Sequence, residues 1–215
     1  MLQIIVISDI FAIFVAMNDV VNSSASACPI LYIIAGCNGA GKTSASLEIL
    51  PEILDCDEFV NADEIAKGLS PFKPESVAIE AGKLMLKRID ELVSQGATFA
   101  IETTLATRSY SNLIKKVHNL GYRVNLLFFW LESPEFAKER VKKRVLSGGH
   151  DIPIDTIYRR YKAGIINLFE IFMPIVDSWI LYDNTNGEIE FIASDREISN
   201  SIIYDKLKRY VRERT

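Results

Sequence analysis

Residues 36–43 read GCNGAGKT, between an apolar run, LYIIA, and a stretch of helical spacing that opens at Lys42. No other segment restricts the possible folds so tightly. In the pattern G-x-x-x-x-G-K-[ST], the glycines let successive backbone N–H groups converge on phosphate oxygens, at the positive end of the helix that follows. A strand must enter the loop and a helix must leave it, which commits the chain to alternating β and α elements around a parallel sheet. Gly36, Cys37, Asn38, Gly39, Ala40, Gly41, Lys42 and Thr43 are therefore the expected nucleotide-binding residues. In such a loop the lysine, here Lys42, reaches the β- and γ-phosphates, and the hydroxyl of Thr43 is a ligand for Mg²⁺. ATP and Mg²⁺ are the expected cofactors.

The rest of the chain keeps to that alternation. Apolar, β-rich runs fall at 30–35, 99–102, 124–131 and 179–182, with a short one at 59–60. Helical spacing covers 42–54, 76–95, 108–120, 134–147, 155–176 and 198–212. In 76–95 the residues Val77, Ala81, Leu84, Ile89 and Leu92 recur near every 3.6 positions, and Gly96 supplies a left-handed stop. The expected fold is α/β: a doubly wound, mostly parallel sheet of the P-loop NTPase type, in one domain over 29–215. The composition agrees, since 215 residues at 49% hydrophobic and net charge −4 exclude an intrinsically disordered chain. Three cysteines without C-x-x-C spacing exclude a disulfide scaffold and a structural zinc site. The acidic balance argues against nucleic acid as a partner.

Residues 1–28 form an apolar N-terminal extension whose first part reads MLQIIVISDIFAIFVAM. A secretion signal is disfavoured, because no positive charge precedes the apolar run and Asp9 interrupts it. A membrane span needs about 20 apolar residues, more than this run offers. Two readings remain: an additional strand or helix, or sequence upstream of a true start at Met17. A nucleotide loop so soon after residue 28 points to the cytoplasm, and no membrane partner is expected.

A phosphate loop does not by itself separate kinases from ATPases and GTPases. No guanine-reading N-K-x-D is present. Residues 146–150, LSGGH, resemble the LSGGQ of transporter ATPases, but Pro153 follows and no apolar strand ending in Asp-Glu comes after it. A kinase needs a base beside the acceptor hydroxyl, an acid near metal or acceptor, and cations for the charge on the transferred phosphoryl group. Asp63, just past the second strand, is the candidate base; its alternative is to cap the helix that starts at Glu64. Glu102 ends the 99–102 run and could hold the metal's water shell or the substrate. Residues 138–162 carry eight basic and three acidic side chains around Gly148–Gly149, which suggests a short arginine-flanked lid rather than only a solvated face. His150 reads as a turn residue and His118 as inert.

The motifs AGCNGAGKT, NADEIA, IETTL, PEFAKERVKKRV, GGHDIP followed by RRY, and WILYDN, in this order, resemble the zeta toxin family of P-loop kinases. The resemblance implies transfer of the ATP γ-phosphate to a hydroxyl of a UDP-N-acetylhexosamine, such as UDP-N-acetylglucosamine. It implies Asp63 as the base, Glu102 and Thr104 at the substrate, and lid arginines on the phosphoryl group: Arg144 first, then Arg159 or Arg160. It also implies Asp183 and Asn184 near the adenine, and an antitoxin protein as a possible partner. The other function classes to be separated are a nucleic-acid 5′-hydroxyl kinase and an ABC-like, nucleotide-gated ATPase.

Overall fold

The computed structural model describes residues 28–149 and 151–214. The expectations for 1–27 and for His150 lie outside the described residues. The elements are β1 (Ile30–Gly36), α1 (Lys42–Ile53), β2 (Phe59–Val60), α2 (Ala62–Leu69), a 3₁₀ turn (Pro74–Val77), α3 (Ala78–Ser94), β3 (Phe99–Thr103), α4 (Tyr110–His118), β4 (Arg123–Trp130), α5 (Pro134–Leu146), α6 (Ile154–Asn167), a π turn (Leu168–Phe172), β5 (Ser178–Asp183), β6 (Glu190–Ser194) and α7 (Ser201–Arg212).

The six strands lie in the order β2-β3-β1-β4-β5-β6, parallel except for the β5–β6 pair. The expected doubly wound, mostly parallel α/β sheet is present. Strands covered on both faces show no polar alternation. β4 is such a strand: RVNLLFFW is buried continuously from Val124 to Trp130, including Asn125, whose side chain accepts a hydrogen bond from Ser178 Oγ at 2.9 Å. Right-handed crossovers then set α1 against one face and α3 and α4 against the other. β1 has β3 on one side and β4 on the other, so the chain reverses its direction of travel across the sheet there. Ligands bind at such a point, outside the carboxyl ends of the strands. Among the described residues no helix is long and apolar enough to cross a membrane.

Three elements differ from the sequence expectation. The helix expected over 155–176 ends at Asn167, where the bonding slips to a π turn with Met173 N donating to Leu168 O at 2.8 Å. Pro174 has no N–H with which to continue a helix. β6 was not expected; its signal is Asn186-Gly187, a hairpin dipeptide, with Gly187 at φ 89°. The last helix starts at Ser201 rather than 198, because the Asn200 side chain accepts from Ile203 N at 3.1 Å and so caps it.

Candidate active site at the phosphate loop

Strand register brings the candidate residues to one edge of the sheet. Ile34 pairs with Glu102, Gly36 with Phe129, Val60 with Ile101 and Trp130 with Asp183. The segments carrying the phosphate loop, Asn61–Asp63, Glu102–Thr104 and Asp183–Asn184 therefore all leave the sheet at its carboxyl edge.

Gly36 has φ 141°, and a Cβ there would lie 2.3 Å from the Phe129 carbonyl oxygen, so only glycine lets β1 run this close to β4 as it enters the loop. Two side chains then brace the loop. Asn184, buried, donates from Nδ2 to Ala40 O at 2.9 Å. Arg140 donates to the carbonyls of Gly39 at 3.5 Å, Asn184 at 2.5 Å and Thr185 at 3.1 Å, tying the loop to the end of β5. Asp183 accepts from both the N–H and the hydroxyl of Thr185. The Asn184 side chain thus supports the loop directly, while that of Asp183 bonds within its own turn. A recess of about 400 Å³ lies beside them, lined by Glu135, Phe136, Glu139, Arg140, Lys143, Thr185 and Asn186. Cys37 contributes its backbone: its carbonyl accepts from Lys42 Nζ at 3.0 Å, while burial pushes its thiol up to about 11 against the opposing pull of Lys42.

Glu102 links the two halves of the site. Its Oε2 accepts from Thr43 Oγ1 at 2.7 Å and from Asn61 Nδ2 at 2.8 Å, and its Oε1 lies 3.5 Å from Lys42 Nζ. The carboxylate is only 10% exposed, so the ion pair with Lys42 is shielded from water. The carboxylate and the Thr43 hydroxyl are hard oxygen donors side by side, a set that suits Mg²⁺, which takes one or two protein oxygens and keeps the rest of its shell as water. Asp63 is half-buried in the first turn of α2. The cap of that helix is Asn61, whose Oδ1 accepts from Asp63 N at 2.8 Å and Glu64 N at 3.4 Å. Capping by Asp63, the alternative open in the sequence, does not occur.

The arginines separate clearly. Arg160 on α6 donates from Nη1 to Asn38 Oδ1 at 3.2 Å; burial draws its ionisation down while the nearby Asp63 carboxylate opposes this. Arg159 is exposed on the same helix. Arg144 sits half-buried in the last turn of α5, where Gly149 N returns to its carbonyl at 2.9 Å. Thr104 meets α6 through its backbone: a Cβ on Gly164 would lie 2.6 Å from the Thr104 oxygen. One turn further along α6, Asn167 Nδ2 donates to Leu105 O at 2.7 Å and holds Leu105 at φ 53°, an uncommon value for a branched side chain. A groove of about 630 Å³ begins at Ala62, next to Asp63, and runs between α3 and α4 past Met85, Leu86, Tyr110, Leu113 and Lys116. Sequence reasoning singled out the phosphate loop, Asp63, Glu102 and the pair Arg159 and Arg160, without choosing between the two arginines, and gave no role to Asn61 or to Arg140 as a brace. An asparagine just before the acidic turn of a helix is a cap signal that would have found the first. His118, read as inert, contacts Asp177 at 2.8 Å, near the start of β4 and away from this edge.

The family model described as zeta toxin matches residues 16–197. An uncharacterised protein of Haemophilus influenzae is 30% identical over 129 residues, which are 59% of this chain and 88% of that protein. Among solved structures, the AvrRxo1-ORF1:-ORF2 complex with ATP superposes with a TM-score of 0.68 at 19% identity, over 83% of this chain and 63% of that one. The chain thus spans less than two thirds of that relative. A structure from the PezAT chromosomal toxin-antitoxin system of Streptococcus pneumoniae superposes at 0.60 with 18% identity, over 95% and 94% of the two chains.

Proposed function

Because the chain belongs to the zeta toxin family of P-loop kinases, we propose that it transfers the γ-phosphate of ATP to a hydroxyl of a UDP-N-acetylhexosamine. The observation that carries this reading is the Glu102 carboxylate. It bonds to Thr43 and lies against Lys42 on the phosphate side, and it bonds on the acceptor side to Asn61, which caps the helix bearing Asp63. A base and a phosphate cradle held through one shared group suit transfer between two bound substrates better than hydrolysis.

The phosphates lie on the loop amides and on Lys42, with the base of ATP in the recess beside Phe136 and Thr185. Thr43 and Glu102 hold Mg²⁺, which neutralises phosphate charge when bound. The acceptor occupies the groove that opens at Ala62. Asp63 takes the proton from the acceptor hydroxyl, the freed oxygen bonds to the γ-phosphorus, and the bond to the β,γ-bridging oxygen breaks to release ADP. Lys42, Arg160 and, as the loop after α5 closes, Arg144 offset the charge on the phosphoryl oxygens. Arg159 has no part in this arrangement. Thr104 shapes the acceptor turn beside Glu102. An antitoxin protein is the proposed partner and the cytoplasm the proposed compartment.

Incubation with γ-labelled ATP and separate UDP-N-acetylhexosamines, oligonucleotides with a 5′-hydroxyl, or buffer alone distinguishes the classes. Label on a UDP-sugar is expected. Label on oligonucleotide, or phosphate release in buffer at the same rate as with any acceptor, would replace this reading with the nucleic-acid kinase or the nucleotide-gated ATPase.

A further inference from the structure

We infer that Asn61 is a positioning residue, coupling the acceptor-side helix to the magnesium side of the phosphate loop. Its side chain is nine-tenths buried, and both its oxygen and its nitrogen are hydrogen-bonded. Oδ1 accepts from the backbone of Asp63 and Glu64, fixing the first turn of α2, while Nδ2 donates to Glu102 Oε2 at 2.8 Å. That same oxygen accepts from Thr43 Oγ1 at 2.7 Å. A carboxylate with one partner can swing about its terminal torsion, which is broad and roughly two-fold. Partners on two sides, with Lys42 at the other oxygen, hold it in one orientation. Asparagine is the suitable residue here because it offers an acceptor and a donor from one planar group. Aspartate or serine would cap the helix as well, but neither offers an amide donor on the far side.

The inference rests on the reading of Thr43 and Glu102 as the magnesium side, and it is tested without any acceptor. Asn61→Ser keeps a good cap and removes the donor to Glu102; Asn61→Thr is a second variant of the same kind. Affinity for a fluorescent ATP analogue is measured with Mg²⁺ and with chelator, alongside the thermal midpoint. The Mg²⁺-dependent gain in affinity is expected to fall about tenfold in both variants, the scale of one hydrogen bond to a charged group. Affinity in chelator is expected to stay near the parent value, while the thermal midpoint falls by no more than the loss of one buried hydrogen bond accounts for. In a Glu102→Gln background, Asn61→Ser is expected to have no further effect, because its influence passes through that carboxylate. Unchanged Mg²⁺ dependence in both cap-preserving variants overturns the inference, as do equal losses with and without Mg²⁺ or full additivity with Glu102→Gln. A parent protein with no Mg²⁺-dependent gain overturns it together with the magnesium reading. Failure to phosphorylate any UDP-sugar while the gain is present overturns only the proposed acceptor.

Discussion

Arg140 uses its guanidinium on three carbonyls from two segments, Gly39 and Asn184–Thr185, where a lysine could reach only one or two. In the sequence it is one cation among many on α5, and nothing in its spacing separates a brace from a solvated charge. Arg140→Lys is expected to cost about 1–3 kcal/mol of stability, because carbonyls beside the loop lose their donors, and to weaken ATP binding as the loop loosens. Chemical denaturation and nucleotide titration check both. Cys37 illustrates the opposite case, a residue in the motif whose side chain is buried and whose backbone carbonyl accepts from Lys42. Burial raises its thiol to about 11, as it does that of Cys56, so at pH 8 little thiolate exists at either; a raised thiol value means less of the reactive form at any lower pH. Iodoacetamide at pH 8 is therefore expected to modify the more accessible Cys28 first and to leave Cys37 and Cys56 unmodified until the protein unfolds. Peptide mass spectrometry reports the order, and Cys37 reacting as fast as Cys28 contradicts the account.

At the scale of elements, α6 is more firmly fixed than a hinge between two arginine clusters suggests. Arg160, Gly164 and Asn167 lie about one turn apart, and they meet Asn38, the Thr104 carbonyl and the Leu105 carbonyl in turn. This face runs from the phosphate loop to the turn at Thr104 and Leu105. The basic composition of 138–162 was legible in the sequence; which of Arg159 and Arg160 faces inward was not. Adjacent positions on a helix point about 100° apart, and only docking against the loop decides between them. Gly164 permits a direct test. Glycine to alanine in a helix normally stabilises by up to about 1 kcal/mol, and Gly82→Ala, with open space around it, is expected to do so. Gly164→Ala, whose new methyl would meet the Thr104 oxygen at 2.6 Å, is expected to destabilise by about 1–3 kcal/mol and to slow phosphoryl transfer. Thermal midpoints of the two variants should move in opposite directions.

Across the whole molecule, strand order and register convert a local motif into a site. The strand–loop–helix signal and the alternation after it were enough to anticipate the parallel sheet. β6 was missed because an edge strand of five residues, with glutamate at its start, carries little apolar signal of its own. The groove between α3 and α4 was equally hidden, since its walls come from segments separated by β3. Net charge divides in a way that suits a small anionic substrate: a cationic α5–α6 region stands on an otherwise acidic body, which favours local phosphate capture over binding along a polyanion. The central claim is that Asp63 accepts the proton of an acceptor hydroxyl held beside the ATP γ-phosphate. Its most direct test is the rate of phosphoryl transfer to UDP-N-acetylglucosamine by the parent protein and by Asp63→Asn, with ATP affinity measured on both. Transfer by the parent, a loss of at least about a hundredfold in the variant and little change in ATP affinity are the predicted result. Equal turnover by the two proteins would contradict it.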